Sequence, residues 1–198
     1  MEKQLIIAIS SEFGSGGHKI SERLSEKFGI EFYDREILEH LAKEKGILQD
    51  DIAKYDERPR NIFKSTRRGF HSNSLEEIVA EMQFDFIRSK ADSGESFIVF
   101  GRCAESVLSD RDGLVSVFIT GNVDTKMKTV METFDLSETA ALDKMRRHDK
   151  RRKRYHNEHS RSIWGDSRFF DICINSEAGI DNVADVIELF VKRKTGRE

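Results

Sequence analysis

The sequence predicts an α/β fold in which helices cover both faces of a parallel β-sheet. Short apolar runs alternate along the chain with longer segments in which apolar residues recur every three or four positions. The first pattern is typical of strands buried on both faces, and the second of amphipathic helices. The apolar runs lie at residues 4–10, 30–33, 96–100, 114–119 and 170–174. Because helices connect parallel strands, we expect ligands to bind just beyond the carboxyl ends of these strands.

A glycine cluster separates the first strand from the first helix. Residues 4–10 are almost wholly apolar and rich in Ile, and Ile20, Leu24 and Phe28 then recur at helical spacing as far as Gly29. Glycine is a common helix stop because it adopts the left-handed conformation without steric cost. The turn between these two elements is the first place where we expect a ligand.

The chain between the second and third strands is less regular. Ile37, Leu38 and Leu41 have the spacing of an amphipathic helix, residues 50–74 form a polar excursion, and residues 75–91 return to helical periodicity. We interpret this part of the chain as helices and a loop outside the sheet.

The last third of the chain is predicted to be mostly helical. Residues 122–155 form one long, largely charged helical stretch, and residues 179–194 a closing amphipathic helix. A strongly basic block lies between Lys144 and Arg161, although the whole chain carries a net charge of -3. The net charge of the whole chain does not reveal this local excess of positive charge, so we consider the block separately below.

The composition indicates one globular domain that attracts neither nucleic acid nor a membrane. The chain has 198 residues, of which 37% are hydrophobic and 35% charged, enough for a proper core. The apolar run 5–9 is too short to span a bilayer, and no signal peptide is recognisable, so we expect a cytoplasmic protein. Cys103 and Cys173 are isolated from each other and are predicted to be buried free thiols.

The glycine-rich turn at residues 14–17 has the chemistry of an anion site. Gly14, Gly16 and Gly17 allow backbone N–H groups to point toward one place, and the dipole of the following helix adds to their effect. An ordinary strand-to-helix turn is the alternative, but it needs one or two glycines rather than three. We therefore expect this turn to hold the phosphates of a nucleotide.

The turn departs from the phosphate-loop pattern G-x-x-x-x-G-K-[ST]. When Gly16 is aligned with the second glycine, Ser11 stands in place of the first, Gly17 in place of the lysine and His18 in place of the Ser/Thr. Lys19 lies two residues beyond the lysine position. The usual loop cation is therefore displaced or missing.

Arg102 is a second candidate because it follows the third strand directly. An arginine at this position points into the ligand crevice, where its planar guanidinium suits a phosphate or the edge of a base. Pairing with a surface carboxylate is the alternative.

The basic block is the third candidate. On a helix, Arg147, Arg151 and Arg154 share one face. Three interpretations stay open: a solvated face, a helix that binds nucleic acid, or a lid whose arginines close over a transferring phosphoryl group. Few aromatic residues interleave with the basic ones, so nucleic-acid binding is the weakest of the three.

Four motifs follow one another along the chain. They are FGSGG after the first strand, YD after the second, GRCA after the third, and WGD…FD…NS near the end. Together they resemble the cytidylate-kinase-like family, relatives of bacterial cytidylate kinase among the P-loop nucleoside monophosphate kinases, over essentially the whole chain. The resemblance implies a P-loop NTPase-like three-layer α/β/α domain over residues 1–198, with a five-stranded parallel sheet. It also implies a helical acceptor-binding insertion at residues 35–92 and a lid at residues 144–168.

The resemblance, together with the motifs themselves, assigns roles to particular residues. The ATP phosphates are expected at Gly14, Ser15, Gly16, Gly17, His18 and Lys19. The acceptor is expected at Asp34, Arg35, Arg58, Arg60, Arg102, Asp166 and Asp171. The cations expected to act in catalysis are Lys19, Arg102, Arg151 and Arg154.

Two positions depart from the usual family motif ISREFGSGGRE. Ser11 and His18 stand where arginines are typical. A neutral His18 cannot replace an arginine, and a missing cation costs transition-state stabilisation in a reaction that depends on charge neutralisation. Lys19 or a lid arginine is expected to compensate.

The leading hypothesis for function is transfer of a phosphoryl group from ATP to a nucleoside monophosphate, CMP or dCMP, without a covalent intermediate. Mg²⁺ is expected to bind through phosphates and water rather than to dedicated protein ligands, with Asp34 as an indirect partner. The alternative is a nucleotide-binding regulator or degenerate kinase with little or no turnover. The expected partners are ATP and a nucleoside monophosphate, and the oligomeric state stays open, a weak homodimer included.

Overall fold

The structure, a computed structural model, describes residues 3–34 and 75–197, with side chains from residue 80 onward in the second range. The helix predicted around residues 37–41, the polar excursion 50–74 and three candidate arginines lie outside the described residues. These arginines are Arg35, Arg58 and Arg60.

A five-stranded parallel sheet forms the centre of the protein. Its strands are β1 (Ile6–Ser11), β2 (Glu31–Tyr33), β3 (Phe97–Phe100), β4 (Leu114–Thr120) and β5 (Ile172–Asn175). They lie in the order β2-β3-β1-β4-β5, and each pair of neighbours is parallel. The predicted α/β fold with a five-stranded parallel sheet is therefore confirmed.

Helices pack against both faces of this sheet. The α-helices of the described residues are α1 (Gly17–Phe28), α2 (Leu75–Asp92), α3 (Ala104–Val107), α4 (Val123–Phe134), α5 (Glu138–His159) and α6 (Ile180–Thr195). Of these, α1 and α6 cover one face, and α2 and α3 cover the other. The alternating side chains of β1 illustrate the two layers. Ile7 and Ile9 pack with α1 and α6, whereas Ile6 and Ala8 pack with α2 and α3. Because both faces are covered, every residue of β1 is buried.

The long stretch predicted over roughly residues 122–155 is helical, but it is divided into two helices. Asp135 adopts a left-handed conformation with φ 51° and ends α4. The Ser137 hydroxyl then accepts a hydrogen bond from the Ala140 N–H and begins α5. Serine stabilises a helix start in this way because it satisfies a backbone donor that has no partner inside the helix. The break allows α4 and α5 to pack against each other.

The two cysteines lie in different environments. Cys103 is buried, but Cys173 is exposed, so the prediction of two buried thiols holds only for Cys103. Cys173 lies on β5, which is at the edge of the sheet and alternates between more and less exposed residues. Within residues 3–34 and 75–197, no helix is both long and apolar enough to cross a membrane.

Candidate active site

The glycine-rich turn joins the central strand β1 to α1, and its shape is set by steric contacts. Gly14 and Gly16 have φ of +85° and +78°, a region that side chains disfavour. A Cβ on Gly14 would lie 2.9 Å from Val130 Cγ2, and one on Gly16 would lie 2.5 Å from Ile180 Cδ1. At Gly14 the built Cβ would also lie 3.0 Å from the backbone oxygen of Lys126, whereas at Gly16 the end of the Ile180 side chain would have to move.

The first turn of α1 has the properties of an anion site. Gly16 is the residue before the helix and supplies no side-chain cap. The first N–H groups of a helix have no partners within the helix, and together with the helix dipole they attract phosphate. The turn is thus suited to a phosphate group, as its glycines predict.

Gly17, which stands at the lysine position of the usual loop pattern, is closely packed. A Cβ there would lie 2.5 Å from both Cβ and Oγ of Ser11 and 3.1 Å from Phe100 Cε2. A lysine at this position would collide with the end of β1. The absence of a loop lysine is therefore built into the packing around Gly17.

An ion pair between buried Lys126 and half-buried Glu12 lies beside the turn. The Lys126 Nζ is 2.7 Å from Glu12 Oε2, and the same oxygen accepts hydrogen bonds from Thr120 Oγ1 at 2.7 Å and Gly121 N at 3.2 Å. Burial raises the pKa of the Glu12 carboxyl, but the hydrogen bonds from Lys126 and Thr120 outweigh that effect and lower the pKa overall. Glu12 is therefore held as a carboxylate.

Helix α5 lies against the turn through two polar contacts. The Phe13 N–H donates to Asp149 Oδ1 at 2.7 Å, and the Arg152 guanidinium donates to the Ser11 carbonyl at 3.0 Å. Arg152 also lies 5.8 Å from the centre of the Phe100 ring, within the range of a cation–π contact. Burial raises the pKa of Asp149, and the hydrogen bond from Phe13 only partly opposes this rise.

A cleft opens at the carboxyl ends of β1, β2 and β3, as expected for a parallel sheet. Its described wall includes Ser10, Ser11, Asp34, Phe100, Gly101, Arg102, Arg152, Tyr155 and Trp164. Two arginines thus contribute positive charge to a crevice that begins at the last residues of β1. The Trp164 ring packs edge-on against Phe118 at 5.2 Å, so it has a packing role at one end of the cleft.

Arg102 is held in an unusual backbone conformation. Gly101, Arg102 and Cys103 have φ of 78°, 59° and 53°, so three consecutive residues are left-handed. Side chains at such positions are strained, and the strain persists where the surrounding structure imposes it. The tight turn after β3 directs the chain into α3 and leaves Arg102 in the wall of the cleft.

His18 connects the start of α1 to the end of β2. Its Nε2 lies 3.0 Å from Asp34 Oδ2, and its ring packs edge-on against Phe32 at 5.1 Å. His18, which stands where an arginine is usual, therefore contacts Asp34, a residue predicted to bind the acceptor. Asp34 and His18, assigned to different halves of the site, are neighbours.

A buried polar cluster fixes the end of α5 to α3, and sequence reasoning missed it. His156 Nε2 lies 2.6 Å from Glu105 Oε1, and the Ser162 hydroxyl donates to the same oxygen at 2.8 Å. His156 and Glu105 are both buried. Because the partners are 51 positions apart, no local pattern indicates their contact.

The other predicted cations lie away from the described cleft wall. Arg151 is exposed, with its guanidinium 3.4 Å from His148 Nδ1, and Arg154 is half-buried. Lys19 lines a separate groove with Glu22 that shares no residue with the cleft. The arginine of α5 that enters the cleft wall is Arg152, one position beyond the predicted Arg151.

Asp166 and Asp171 have structural partners. Hydrogen bonds from Arg168 lower the pKa of Asp166 to about 2. Asp171, just before β5, accepts from the Ser116 N–H at 2.8 Å and pairs with Lys194 at 2.5 Å. Ser116 lies near the start of β4, so these contacts place Asp171 toward the end of the sheet opposite the cleft. Neither residue belongs to the described cleft wall.

A match to a family model over most of the chain shows which protein family it belongs to. The family model of the cytidylate kinase-like family matches residues 6–178. The chain belongs to this family. That span includes the glycine turn, Arg102, the whole of α5 and β5, so the resemblance seen in the sequence motifs is confirmed.

Solved structures of other proteins resemble the fold of this member of the cytidylate kinase-like family over nearly the whole chain. An uncharacterized protein from Eubacterium ventriosum is 39% identical, with a TM-score of 0.76, over 96% of this chain and 99% of that chain. Shikimate kinase from Aquifex aeolicus is 16% identical, with a TM-score of 0.52, over 95% and 96%. A gluconokinase from Sinorhizobium meliloti is 12% identical, with a TM-score of 0.56, over 99% and 96%. The last two show the fold alone, and no curated protein sequence matches the chain.

Proposed function

We propose that this protein transfers the γ-phosphoryl group of ATP to a nucleoside monophosphate, CMP or dCMP. One observation carries the proposal: the glycine turn suited to phosphate directly follows the strand whose last residues line a cleft with two arginines. Membership of a kinase-like family supports phosphoryl transfer in general. The choice of a pyrimidine monophosphate rests on the resemblance to cytidylate kinase.

The residues of the cleft divide between donor and acceptor. Backbone N–H groups of residues 14–17 hold the donor phosphates. Arg102 binds the phosphate of the acceptor through its planar guanidinium. Arg152 faces the same cleft from α5 and stabilises the negative charge that develops on the transferred group.

The cations predicted at Arg151, Arg154 and Lys19 would act only after a rearrangement of the site. Arg151 and Arg154 act from α5 only if the helix approaches the donor more closely than in this structure. Lys19 needs a comparable change, because its groove is separate from the cleft. Arg152 needs no such change, so it takes the leading role among the arginines of α5.

The residues of the site fit a magnesium ion that is bound mainly by phosphates. Among the described residues, no group of three or more His, Cys, Asp or Glu side chains converges in the manner of a metal site. Asp34 lies in the cleft wall, and its carboxylate faces His18. Mg²⁺, when bound, neutralises phosphate charge and orients the phosphates. Asp34 would hold it through water, as the sequence predicts.

The direct test is ADP release from ATP and Mg²⁺ across a panel of nucleoside monophosphates. We expect CMP and dCMP to give the fastest release. Release that is equal with and without every monophosphate would contradict the proposal. We expect the reaction to take place in the cytoplasm.

A second candidate is a nucleotide-binding regulator with little or no turnover. The packing around Gly17 favours it, because Ser11 and Phe100 occupy the space that a loop lysine would need. If ATP raises the melting temperature while the whole panel of acceptors gives no ADP, this candidate replaces the kinase. If turnover depends on CMP, it is excluded.

A further inference from the structure

A lysine from outside the glycine turn brings a positive charge next to it. Lys126 belongs to α4 and is only 6% exposed. Its side chain passes over Gly121, where a Cβ would lie 2.9 Å from Lys126 Cγ. The ammonium ends 2.7 Å from Glu12 Oε2. Lys126 thus contacts Glu12, the first residue of the segment between β1 and α1, although the two lie 114 positions apart.

Lys126 also lies close to Gly14, one of the glycines of the turn. A Cβ on Gly14 would lie 3.0 Å from the Lys126 carbonyl oxygen and 3.3 Å from Lys126 Cβ. Gly17 has no space for a cation of its own. Lys126 therefore lies beside the turn, whereas the usual position for a loop lysine is closed.

When the ammonium leaves, the Glu12 carboxylate loses its ion-pair partner but keeps hydrogen bonds from two neutral donors. Glu12 Oε2 has three donors, namely Lys126, Thr120 and Gly121. A carboxylate oxygen offers about two lone-pair directions. One donor is thus in excess, and Thr120 and Gly121 still satisfy the oxygen when Lys126 is absent.

We propose that Lys126 is a phosphate-binding cation of this site, held by Glu12 until a nucleoside triphosphate occupies the turn. Its ammonium then moves from the carboxylate to a phosphate oxygen. This inference rests on the proposed function in so far as the turn must hold a nucleotide. A lysine suits the task because its charge is compact and its stem has rotatable bonds. Helix α4 then supplies the charge for which Gly17 leaves no room.

Three substitutions distinguish this role from that of a structural ion pair. Lys126→Met keeps the length of the side chain and removes the charge. Glu12→Gln removes the anion that competes with phosphate for the ammonium. Lys128→Met is the matched control, because Lys128 is an exposed lysine on the same helix. Calorimetric titration with ATP, and separately with inorganic triphosphate, measures the affinity of each variant in the presence of Mg²⁺.

The proposal predicts effects of opposite sign for the two partners. Lys126→Met should weaken the binding of ATP and of inorganic triphosphate by about tenfold or more, since a charge-assisted contact is lost. Glu12→Gln should increase the affinity for ATP and for inorganic triphosphate by about threefold, because a competing anion has been removed. Lys128→Met should bind like the wild type.

A purely structural pair predicts a different pattern. Equal weakening by Lys126→Met and Glu12→Gln, or an unchanged affinity of Lys126→Met, overturns the proposal. If Lys126→Met does not fold, the double variant Glu12→Gln/Lys126→Met removes both charges and must still show the loss of affinity. Wild-type affinity of the double variant also overturns the proposal. Failure of the wild-type protein to bind either probe is a separate result that overturns the proposed function as well.

Discussion

The glycine turn and the cleft-facing side of α5 contact each other, but they are held in place by different forces. The turn is shaped by glycine conformations and close packing, since a Cβ at residues 14, 16 and 17 would meet Val130, Ile180 and Ser11, respectively. Helix α5 meets it through polar contacts, from Asp149 to the Phe13 N–H and from Arg152 to the Ser11 carbonyl. Steric contacts persist when a ligand enters, whereas hydrogen bonds can exchange for bonds to the ligand. The comparison indicates a turn with a fixed shape and, beside it, a helix whose polar contacts can rearrange.

The largest expected loss of activity comes from replacing Arg102 in the cleft wall. Arg102→Ala should lower turnover by about a thousandfold, because the acceptor phosphate loses its planar donor. The affinity for ATP should change little if, as proposed, the donor binds at the turn. Kinetics with CMP and calorimetry with ATP measure the two quantities separately. Equal loss of ATP affinity and of folding stability would contradict the assignment.

A pair of neighbouring arginines tests which side of α5 faces the reaction. Arg152→Ala should reduce turnover by about a hundredfold, within the range measured for electrostatic donors at active sites. Arg151→Ala serves as the matched control, since Arg151 is exposed beside His148, and it should retain most of the activity. The reverse order of effects would show that α5 turns a different face to the donor.

A pair of glycines tests the steric origin of the turn. Gly16 and Gly94 have nearly the same φ, +78° and +79°, but only Gly16 has a neighbour within 4 Å of a built Cβ. Gly94→Ala should cost about 1 kcal/mol from backbone strain, and Gly16→Ala should cost about 3 kcal/mol because overpacking is added. Urea denaturation measures both.

A second substitution at Ile180 tests whether overpacking causes the larger loss of stability expected for Gly16→Ala. Ile180→Val removes the Cδ1 atom that a Cβ on Gly16 would meet, so it should restore about 1 kcal/mol in the Gly16→Ala background. If the changes in the free energy of unfolding caused by Gly16→Ala and Ile180→Val simply add, the contact between residues 16 and 180 does not shape the turn.

The smallest effect is a difference in the pH dependence of stability between two carboxylates beside the turn. The folded-state pKa of Glu12 is lowered, so its contribution to stability is present above the unfolded pKa and is lost as pH falls through the folded pKa. The folded-state pKa of Asp149 is raised by burial, so stability is lost as pH rises through that pKa. The two groups therefore act in opposite directions.

Neutral amide variants make this contrast measurable. Urea denaturation should show that Glu12→Gln is more destabilising at neutral pH than in acid. Asp149→Asn should be less destabilising at neutral pH than in acid, because the amide resembles the protonated carboxyl that burial favours. Parallel pH profiles for the two variants would contradict the assignment.

The sequence predicted the sheet because its signals are local. The apolar run of β1 and the helical spacing of Ile20, Leu24 and Phe28 in α1 each lie within a few turns of chain, and both elements are present as expected. The glycines at residues 14–17 likewise signal a turn through their own conformational freedom. Such features depend little on the rest of the protein.

The charged contacts of the site could not be predicted in the same way. Lys126 meets Glu12 across 114 positions, and Asp149 meets Phe13 across 136, so only tertiary packing brings them together. The face of α5 was also ambiguous, because basic residues occur all around that part of the helix. Buried Met145 and His156 are the markers that place Arg152 on the inner face.

A structure of the protein with a non-hydrolysable ATP analogue and Mg²⁺ tests the central claim most directly. We predict that the β- and γ-phosphates lie within hydrogen-bond distance of the N–H groups of residues 14–17, with the turn unchanged and Arg152 facing the γ-phosphate. A triphosphate bound elsewhere, or a turn that must unfold to accept it, would contradict a donor site preformed by steric exclusion.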